Sequence, residues 1–540
     1  MKIFYKKTSV FIALFCTAIL TITGISSCKK FLDVAPTDVT RDQDFLTDYW
    51  DAQYMLRGAY QALQPLVDYI FVLGEVQGDW AKPGSGADSD IVQLAEHRAK
   101  PTNRYTNWSP YYDLINRANF VIKNVPRVPP DQNNFSDFIK NQYIGEAKYL
   151  RAFAYFHLVR NWGDVPYTNT VVDDISKVSY LSVTSRETIL DSCEKDLTEA
   201  FAKTDFVANV FNDDGTLRVS NEQTRHRVTK GTVCALQAEL YLWRNKYALA
   251  NTACQAWQNT GQYTFLGNGS SPTGGDHWFD IFTLGNSLFN EGMFTCVFTY
   301  STRETSTLMM LTSNDPAAGG KYMVAPSDIA IKTYNPNWPN SVSITNTATD
   351  DAYRGFGATY AGGAPSYNRV GSANPVIWKW LGTAKVAPAS IDVPPPVRLP
   401  YRSEGDFHLT RQGDMYLLWA EALNRIGDKA NSISKINSVR GRAGMPAASV
   451  SGITTASTND QIEDFILRER GLELGYEGRR WYDLMRIARH GRPRVLIDAV
   501  EKRAPASLTP YLEATLTDQS KWLLPINENE LKLNPNLKQH

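Results

Sequence analysis

The sequence predicts a mostly α-helical protein: a scaffold of paired helices carrying a loop-rich, mixed α/β insertion at about 260–408. Three observations point to it. Within 137–161, Ile144, Ala147, Leu150, Ala154 and Leu158 recur every three or four residues, the period of an amphipathic helix. Two stretches, 229–259 and 411–442, each read as helix, short turn, helix. Between them the composition shifts to Gly, Pro, Ser, Thr and Asn, with only short apolar runs such as 293–300.

In chain order, residues 29–47 read as a polar, extended tether leading to Phe45. A helix follows, on which Ala52, Tyr54, Met55, Leu56, Ala59, Tyr60 and Leu63 form a wide apolar stripe. Residues 66–106 read as a long irregular segment containing Gly78-Asp79-Trp80, Pro83-Gly84-Ser85-Gly86 and the acidic pair Asp88 and Asp90. Loops of that length inside a folded chain are usually functional or mobile. Helices are expected at 108–125, stopped by Pro126; at 137–161, ended by Gly163 and Pro166; and at 186–203. Asn212-Asp213-Asp214-Gly215 signals a hairpin-like turn.

The first helix pair is 233–243 and 247–257, turning at Arg244-Asn245, with Ala235, Ala238, Ala248, Ala250 and Ala253 allowing close contact. The layout returns at 415–426 and 430–442, turning at Gly427-Asp428. Each pair resembles a tetratricopeptide unit, whose repeat is ~34 residues; a plain helical bundle satisfies the same pattern. The 260–408 segment reads as loops and short strands, either a separate domain or one insertion. Helices resume after it at 411–442, 459–475 and 478–490, which favours the insertion.

Hydrophobic content of 43% and charged content of 21% are those of a globular chain. Lys and Arg number 56 against 56 Asp and Glu, so the basic patch or stripe of a nucleic-acid binder is not expected. Tryptophan is plentiful at 13, with 27 Tyr and 23 Phe; aromatics fill cores first, and a surplus on loops suits flat apolar ligands. Cys193, Cys234, Cys254 and Cys296 show no CxxC pair and no histidine at ligand spacing, so buried free thiols are expected. A Cys234–Cys254 disulfide is compatible with the helix pair but does not follow from it.

The N-terminus has Lys2, Lys6 and Lys7, then an apolar stretch over 10–25, then Ile25-Ser26-Ser27-Cys28. A basic start, short apolar run and small residues make a secretory signal. The apolar run falls short of the ~20 residues a spanning helix needs, and Thr17, Thr21, Thr23 and Gly24 dilute it. Cys28 after the small pair, with Ile25 three places earlier, resembles a bacterial lipobox, in which the cysteine is acylated. The expected organisation is a signal peptide at 1–27, a lipidated tether at 28–47 and one body at 48–540, with scaffold at 48–259 and 409–540.

Several ordered motifs then resemble the SusD/RagB family. They are Cys28-Lys29-Lys30-Phe31-Leu32-Asp33; Glu146 to Tyr167, read as EAKYLRAFAYFHLVRNWGDVPY; and YLLWAEAL at 416–423 with INSVRGRAG at 436–444. ILRERGLELGYEGRRWYDLMR at 466–486 and Leu524-Pro525-Ile526 with Asn534-Pro535-Asn536-Leu537 complete the series. The resemblance spans residue 28 to the end and is weakest over 260–408. It implies a tetratricopeptide-like helical fold and an outer-membrane lipoprotein facing outward. It also implies a non-enzymatic protein that captures an oligosaccharide, or sometimes a peptide, and passes it to a SusC-like TonB-dependent transporter. Lys29 and Lys30 depart from the acidic residues common after the cysteine of surface lipoproteins. A helical-repeat adaptor inside the envelope is the competing reading of the same helices.

The charged residues of 466–486 are expected to pair locally, Arg470 with Glu473 and Arg479 with Asp483, in a helical hairpin that Gly471, Gly475 and Gly478 allow to pass tightly. A carboxylate beside arginine stays ionised, which suits neither a general acid nor a base. His157 is expected in the core. No HExxH, GxSxG or P-loop occurs. Asp42, Asp44 and Asp48, and Asp88 and Asp90, supply carboxylates that calcium takes, but neither run has the glycine and terminal Glu of an EF-hand, so no cofactor is expected. Sugar capture needs flat aromatic faces and fixed donors and acceptors. The candidate ligand residues are Asp79, Trp80, Asn103, Arg104 and Tyr105 on the 66–106 segment, and Trp278, Tyr300, Tyr322 and Trp338 in the insertion. Trp108, Trp162, Trp243, Trp419, Trp481 and Trp522 are expected to be structural, while Trp378 and Trp380 alternate with Lys379 as a strand would.

Overall fold

A computed structural model describes residues 46–130, 135–172, 180–211, 217–220, 223–265, 281–282, 291–298 and 406–539. Between 306 and 380 it describes 306–314, 316, 319–334, 336, 354, 359–360 and 375–380. The chain divides into two units, Met1–Thr47 and Asp48–His540, and the helical body is the second. Cys28, Trp278, Tyr300 and Trp338 lie outside the described residues, as do Asp42 and Asp44.

Helix α1 (Tyr49–Gln61) starts at Asp48, whose carboxylate accepts from the Trp50 and Asp51 N–H groups while the Asp51 side chain reaches back to the Asp48 N–H, a capping box. The 66–106 segment is largely ordered, contrary to the irregular loop expected. It folds as α2 (Leu66–Glu75), β1 (Ala81–Pro83) and α3 (Ser89–Ala95), followed by a 3₁₀ turn at Arg104–Thr106. Most of α2 is buried, so its sequence is apolar on nearly every side and shows no helical stripe. Helices α4 (Ser109–Asn124), α5 (Asp137–Trp162) and α6 (Arg186–Lys203) then pack in sequence. A Cβ on Gly145 would lie 2.9 Å from Thr204 Cγ2, so the chain leaving α6 rests directly on the α5 backbone. β2 (Val165–Pro166) and β3 (Val183–Thr184) pair just before α6, and β4 (Ala208–Phe211) and β5 (Leu217–Ser220) pair antiparallel on either side of the predicted turn at 212–215, which itself lies outside the described residues.

The two predicted helix pairs are α7 (Lys230–Trp243) with α8 (Tyr247–Gln258), and α11 (Gln412–Arg425) with α12 (Lys429–Arg442). They meet in one core: Cys234, Ala238 and Leu242 of α7 and Ala250, Cys254 and Trp257 of α8 cluster with Met415, Leu418, Trp419 and Ala422 of α11. Among the described residues Cys193, Cys234, Cys254 and Cys296 are buried thiols outside any disulfide. Between the pairs the described residues form β6 (Gly292–Cys296), α9 (Leu308–Thr312), β7 (Val324–Pro326), α10 (Asp328–Tyr334), β8 (Thr359–Tyr360) and β9 (Val376–Ile377), then β10 (Phe407–Arg411). Two antiparallel pairings tie this segment to the scaffold: β1 with β7, Ala81 opposite Pro326, and β6 with β10, Cys296 opposite Phe407. Trp378–Trp380 is a 3₁₀ turn rather than an alternating strand, and Trp380 Nε1 donates to the Tyr476 carbonyl at 2.7 Å.

Helices α13 (Asn459–Leu474) and α14 (Arg480–Arg489) form the expected hairpin, and α15 (Pro493–Arg503), α16 (Thr509–Leu516) and α17 (Glu528–Leu533) close the chain. The charges of 466–486 are paired, but across elements rather than along one helix. Arg470 binds Asp414 at 2.7 Å and Asp483 at 2.8 Å, not Glu473. Glu473 is held by Arg354 of the insertion, Arg411 of β10 and Arg442 of α12. Arg479 takes Glu239 of α7 at 3.0 Å rather than Asp483. Glycines make these crossings close: Gly478 has φ +75° and a Cβ there would lie 2.6 Å from the Ile70 carbonyl oxygen of α2. Among the described residues no helix is long and apolar enough to cross a membrane.

Candidate functional site

Trp80, a predicted ligand residue, is 2% exposed and belongs to the core. Its ring fills the space left by two glycines of α13 and the turn after it: a Cβ on Gly471 would lie 2.3 Å, and one on Gly475 3.0 Å, from the indole. Tyr334 meets the ring edge-on at 5.4 Å and the Arg480 guanidinium lies 5.3 Å from its centre. Polar neighbours suggested a loop, but the chain passes straight from Trp80 into β1, and the indole turns inward there. Asp79 is equally inward, its carboxylate accepting from Arg480 Nε at 2.6 Å and Nη2 at 2.9 Å. Asn103 is fully buried; its Oδ1 accepts from the Tyr105 N–H at 3.0 Å and its Nδ2 donates to the Asp90 carbonyl at 2.9 Å, so it folds the turn. Tyr322 is buried with its hydroxyl donating to the Pro375 carbonyl at 2.7 Å. None of these four presents a face to a ligand.

Arg104 does reach the surface, with 41% of its side chain exposed. It sits on the 3₁₀ turn that Asn103 caps, and Nη1 donates to Asp88 at 2.5 Å and Asp90 at 3.1 Å, both at the start of α3. The guanidinium lies 4.6 Å from the centre of the Tyr105 ring. Tyr105 is itself buried, an anchor beneath the arginine rather than a platform; its hydroxyl donates to Asp68 Oδ1 on α2 at 3.5 Å. Burial raises the Asp68 carboxyl, against the pull of Arg104 and of hydrogen bonds from Tyr105 and from Thr307 of the insertion. Tyr69, whose hydroxyl donates to the Arg104 carbonyl at 3.2 Å, is pushed up to about 12 by burial and the neighbouring Asp68. The 66–106 segment and the insertion therefore converge at Asp68.

A cleft of about 500 Å³ opens beside this point, lined by Gln61, Gln64, Asp68, Asp113, Arg117 and Thr307, with Val67 and Phe298 as apolar floor. Pockets for small molecules run ~300–1,000 Å³ and combine apolar lining with a few placed polar groups. Here the polar groups are oriented. Arg117 pairs with Asp113 one turn away at 3.0 Å and donates to the Gly58 carbonyl at 2.9 Å, and Gln64 Nε2 donates to the Val297 carbonyl at 3.0 Å. Such a surface offers paired donors and acceptors to hydroxyl groups. Its helical residues carried little sequence signal. The spacing of Asp113 and Arg117 on an exposed helix face, and a lone Asp68 in the apolar run of α2, were the available clues.

The carboxylates that invite a catalytic reading lie elsewhere, in the buried network. Against the upward push of burial, Arg411 and Lys379 hold Glu477 down at about 2, and Arg442, Arg411 and Arg354 hold Glu473 well below the usual carboxylate range. His157 is buried between Phe153, 4.5 Å away, and Tyr111, and burial with Arg160 keeps it neutral. Among the described residues no group of three or more His, Cys, Asp or Glu gathers as a metal would require. Asp48 caps α1, and Asp88 and Asp90 serve Arg104.

Comparison with known proteins gives a consistent set of likenesses. A family model described as starch-binding associating with outer membrane matches residues 30–242, and a SusD family model matches 366–540. The chain is 27% identical over 507 residues to SusD-like protein P38 of Formosa agariphila, covering 87% of this chain and 90% of that one. It is 24% identical to a SusD-like protein of Bacteroides ovatus, covering 90% and 83%. A crystal structure of a SusD superfamily protein from Bacteroides vulgatus superposes with a TM-score of 0.69 at 19% identity, covering 92% of this chain and 99% of that one. A laminarin-binding SusD-like protein superposes with a TM-score of 0.67 at 20% identity, covering 92% and 99%.

Proposed function

Because this chain belongs to the SusD family, we propose that it is a cell-surface lipoprotein that captures oligosaccharides and delivers them to a SusC-like TonB-dependent outer-membrane transporter. The Asp68–Arg117 cleft is the observation that carries the capture part of this reading. Its size, its oriented side chains and its position, where scaffold helices meet the variable insertion, suit a hydroxyl-rich ligand. Binding of laminarin by a SusD-like protein of the same fold supports a glycan over a peptide. Cys28, acylated, would hold the protein on the outer membrane, since two or more lipid chains anchor stably where one does not. No cofactor and no nucleic acid belong to this reading, and no catalysis: Glu473 and Glu477, the signature carboxylates, are held ionised by arginine and lysine and serve packing.

The test is native affinity electrophoresis followed by calorimetry against laminarin, starch, xylan, pectin and a casein peptide mixture. Retardation by at least one polysaccharide, weakened at least tenfold in the double variant Asp68→Ala/Arg117→Ala, is the expected result. Retention of peptides alone would replace the glycan reading with a peptide-uptake one, and release of reducing sugar would make the protein an enzyme. Protease shaving of intact cells checks the surface location, which an adaptor inside the envelope would survive. Metabolic labelling with palmitate, lost in Cys28→Ala, checks the anchor.

A further inference from the structure

A second cleft, of about 590 Å³, opens where the turn after α3 meets α16 and the residues that follow it. It belongs to different groups from the first. The start of α3 supplies Asp88 and Asp90 to Arg104, whereas its far end leads into His97 and Arg98, which line this second cleft. Tyr511, in the first turn of α16, stands at it with 40% of its surface exposed. Exposed aromatic rings are ordinary, but this one is held. Its hydroxyl donates to the His97 carbonyl at 3.2 Å, and the Arg98 guanidinium lies 5.2 Å from the ring centre.

The holding frame is itself rigid. His97 adopts φ +52°, which turns its carbonyl toward α16. Its Nε2 lies 3.0 Å from the Gln77 carbonyl and so carries the hydrogen, and its ring packs 5.0 Å from that of the fully buried Trp481. Burial and the nearby Arg503 charge push His97 down to about 3, so its ring stays neutral across the physiological range. An aromatic face fixed before binding loses little freedom on stacking, which is how preorganisation raises affinity.

Around Tyr511 stand the groups a sugar ring requires. Asp518 is a fixed acceptor, its carboxylate taking the Ser520 N–H at 2.9 Å and hydroxyl at 2.8 Å. Thr515 and Lys521 add donors, and Leu523 and Pro525 add apolar wall. Arg98 is balanced by Glu96 at 2.9 Å, and Lys521 stands near Asp518, so the cleft has no net charge that would select a polyanion. We propose that Tyr511 is the stacking platform of a second glycan-binding site, taking a pyranose unit through its C–H face with Asp518, Thr515 and Lys521 meeting its hydroxyls. The proposal rests on the glycan-capture reading and adds to it: two separated contacts on one polysaccharide chain raise avidity beyond either alone.

The experiment uses the mature protein in affinity gels and calorimetry with the polysaccharide of the panel that retains the wild type. Tyr511→Ala is expected to weaken binding about fivefold, the size of one aromatic stacking contact, and Tyr511→Phe, which keeps the ring but loses its tether to the His97 carbonyl, to weaken it by clearly less. Ala514→Trp, an exposed helical position that lines the cleft, blocks it without removing the ring and is expected to lose as much. Near-ultraviolet circular dichroism confirms that each variant is folded. Unchanged binding in Tyr511→Ala and Ala514→Trp, with loss in Asp68→Ala/Arg117→Ala, overturns the second site and leaves the first. Equal loss in both Tyr511 variants shows a hydrogen-bonding rather than a stacking role and also overturns it. Loss only in Tyr511→Ala and Ala514→Trp supports the second site while removing the first. Retention of the wild type by no polysaccharide overturns both.

Discussion

Two arginine–carboxylate assemblies stand in very different surroundings in this molecule. Around Glu473, the groups are sealed: Arg411, Arg354, Glu291 and Glu473 have no exposed side-chain surface. Around Arg104 and Arg117, the side chains are 41% exposed and their partner carboxylates are 21–51% exposed. The chemistry is the same and the consequence is opposite. In the interior each charge must be met by a partner that the fold brings from a distant element, because an unmatched buried ion is strongly destabilising. At the surface water stands in for any lost partner, so the pair contributes little to stability and its groups remain available to a ligand. The 466–486 signature, read locally, describes ion pairs of a helix; in space it is the hub joining α7, β10, α11, α12 and the insertion.

The largest expected effect tests that hub. Arg411→Ala removes the guanidinium that meets Glu477 through Nε at 2.8 Å and Nη2 at 2.8 Å, and also meets Glu473. Glu477 loses its main counter-charge and Glu473 one of three, at a cost of about 3–5 kcal/mol. Urea denaturation should show that loss or an unfolded chain; a change below about 1 kcal/mol would break the contrast. Trp80→Ala is expected to be similar, about 3–5 kcal/mol, as a large aromatic removed from the core. Its affinity for the retained polysaccharide should match the wild type once the folded fraction is considered, which separates packing from ligand contact.

A smaller effect follows from Glu75, the carboxylate where α2 meets the α13–α14 turn. Its Oε1 accepts the Gly478 N–H at 2.8 Å and the Arg479 N–H at 3.0 Å, and among the described residues Oε2 has no hydrogen-bond partner. Burial raises Glu75 from 4.5 to about 8 despite those bonds. The folded state therefore binds a proton that the unfolded state has released between these two values. Stability should fall as pH rises from about 5 to 8, with a slope approaching about 1.4 kcal/mol per pH unit from this group. Glu75→Gln, which cannot ionise, should flatten that portion of the profile in urea midpoints recorded from pH 5 to 8.5. An unchanged slope would show Glu75 ionised and hydrated in the fold.

What could be read in the chain divides in the same way. Helices α8 and α12 were legible because one face of each meets the core and the other solvent; α5, α7 and α11 are buried on nearly every side and were legible from apolar residues recurring among polar ones over a long run and from the turn and stop residues that bound them. Helix α2 was not, because Leu66, Ile70, Phe71 and Leu73 are buried with Val67 and Val72 and no polar face remains. Trp80 was misread since its flanking residues are polar; its burial comes from Gly471 and Gly475, far later in the chain, which leave room for the indole. Arg104 reached the surface, yet Asp68, on which its charge acts, and Thr307, which hydrogen-bonds Asp68, came from elements whose approach no local pattern encodes.

Arg104→Ala carries the smallest stability effect and the sharpest contrast with Arg411→Ala. Its bonds to Asp88 and Asp90 are made by side chains with access to water, and exposed pairs contribute about 0–1 kcal/mol. The melting temperature should therefore move by only a degree or two. Arg104 does not itself line the cleft, but its charge acts on Asp68, which does, so on the proposed reading calorimetry should show affinity lowered by a few-fold, less than in Asp68→Ala/Arg117→Ala. Arg104→Lys keeps the charge but not the planar fork that faces two carboxylates and covers the Tyr105 ring, and should recover only part of the loss. A large fall in stability with unchanged affinity would reverse the assignment: Arg104 would then be a second structural hub, and the surface assembly would differ from the interior one only in degree of burial.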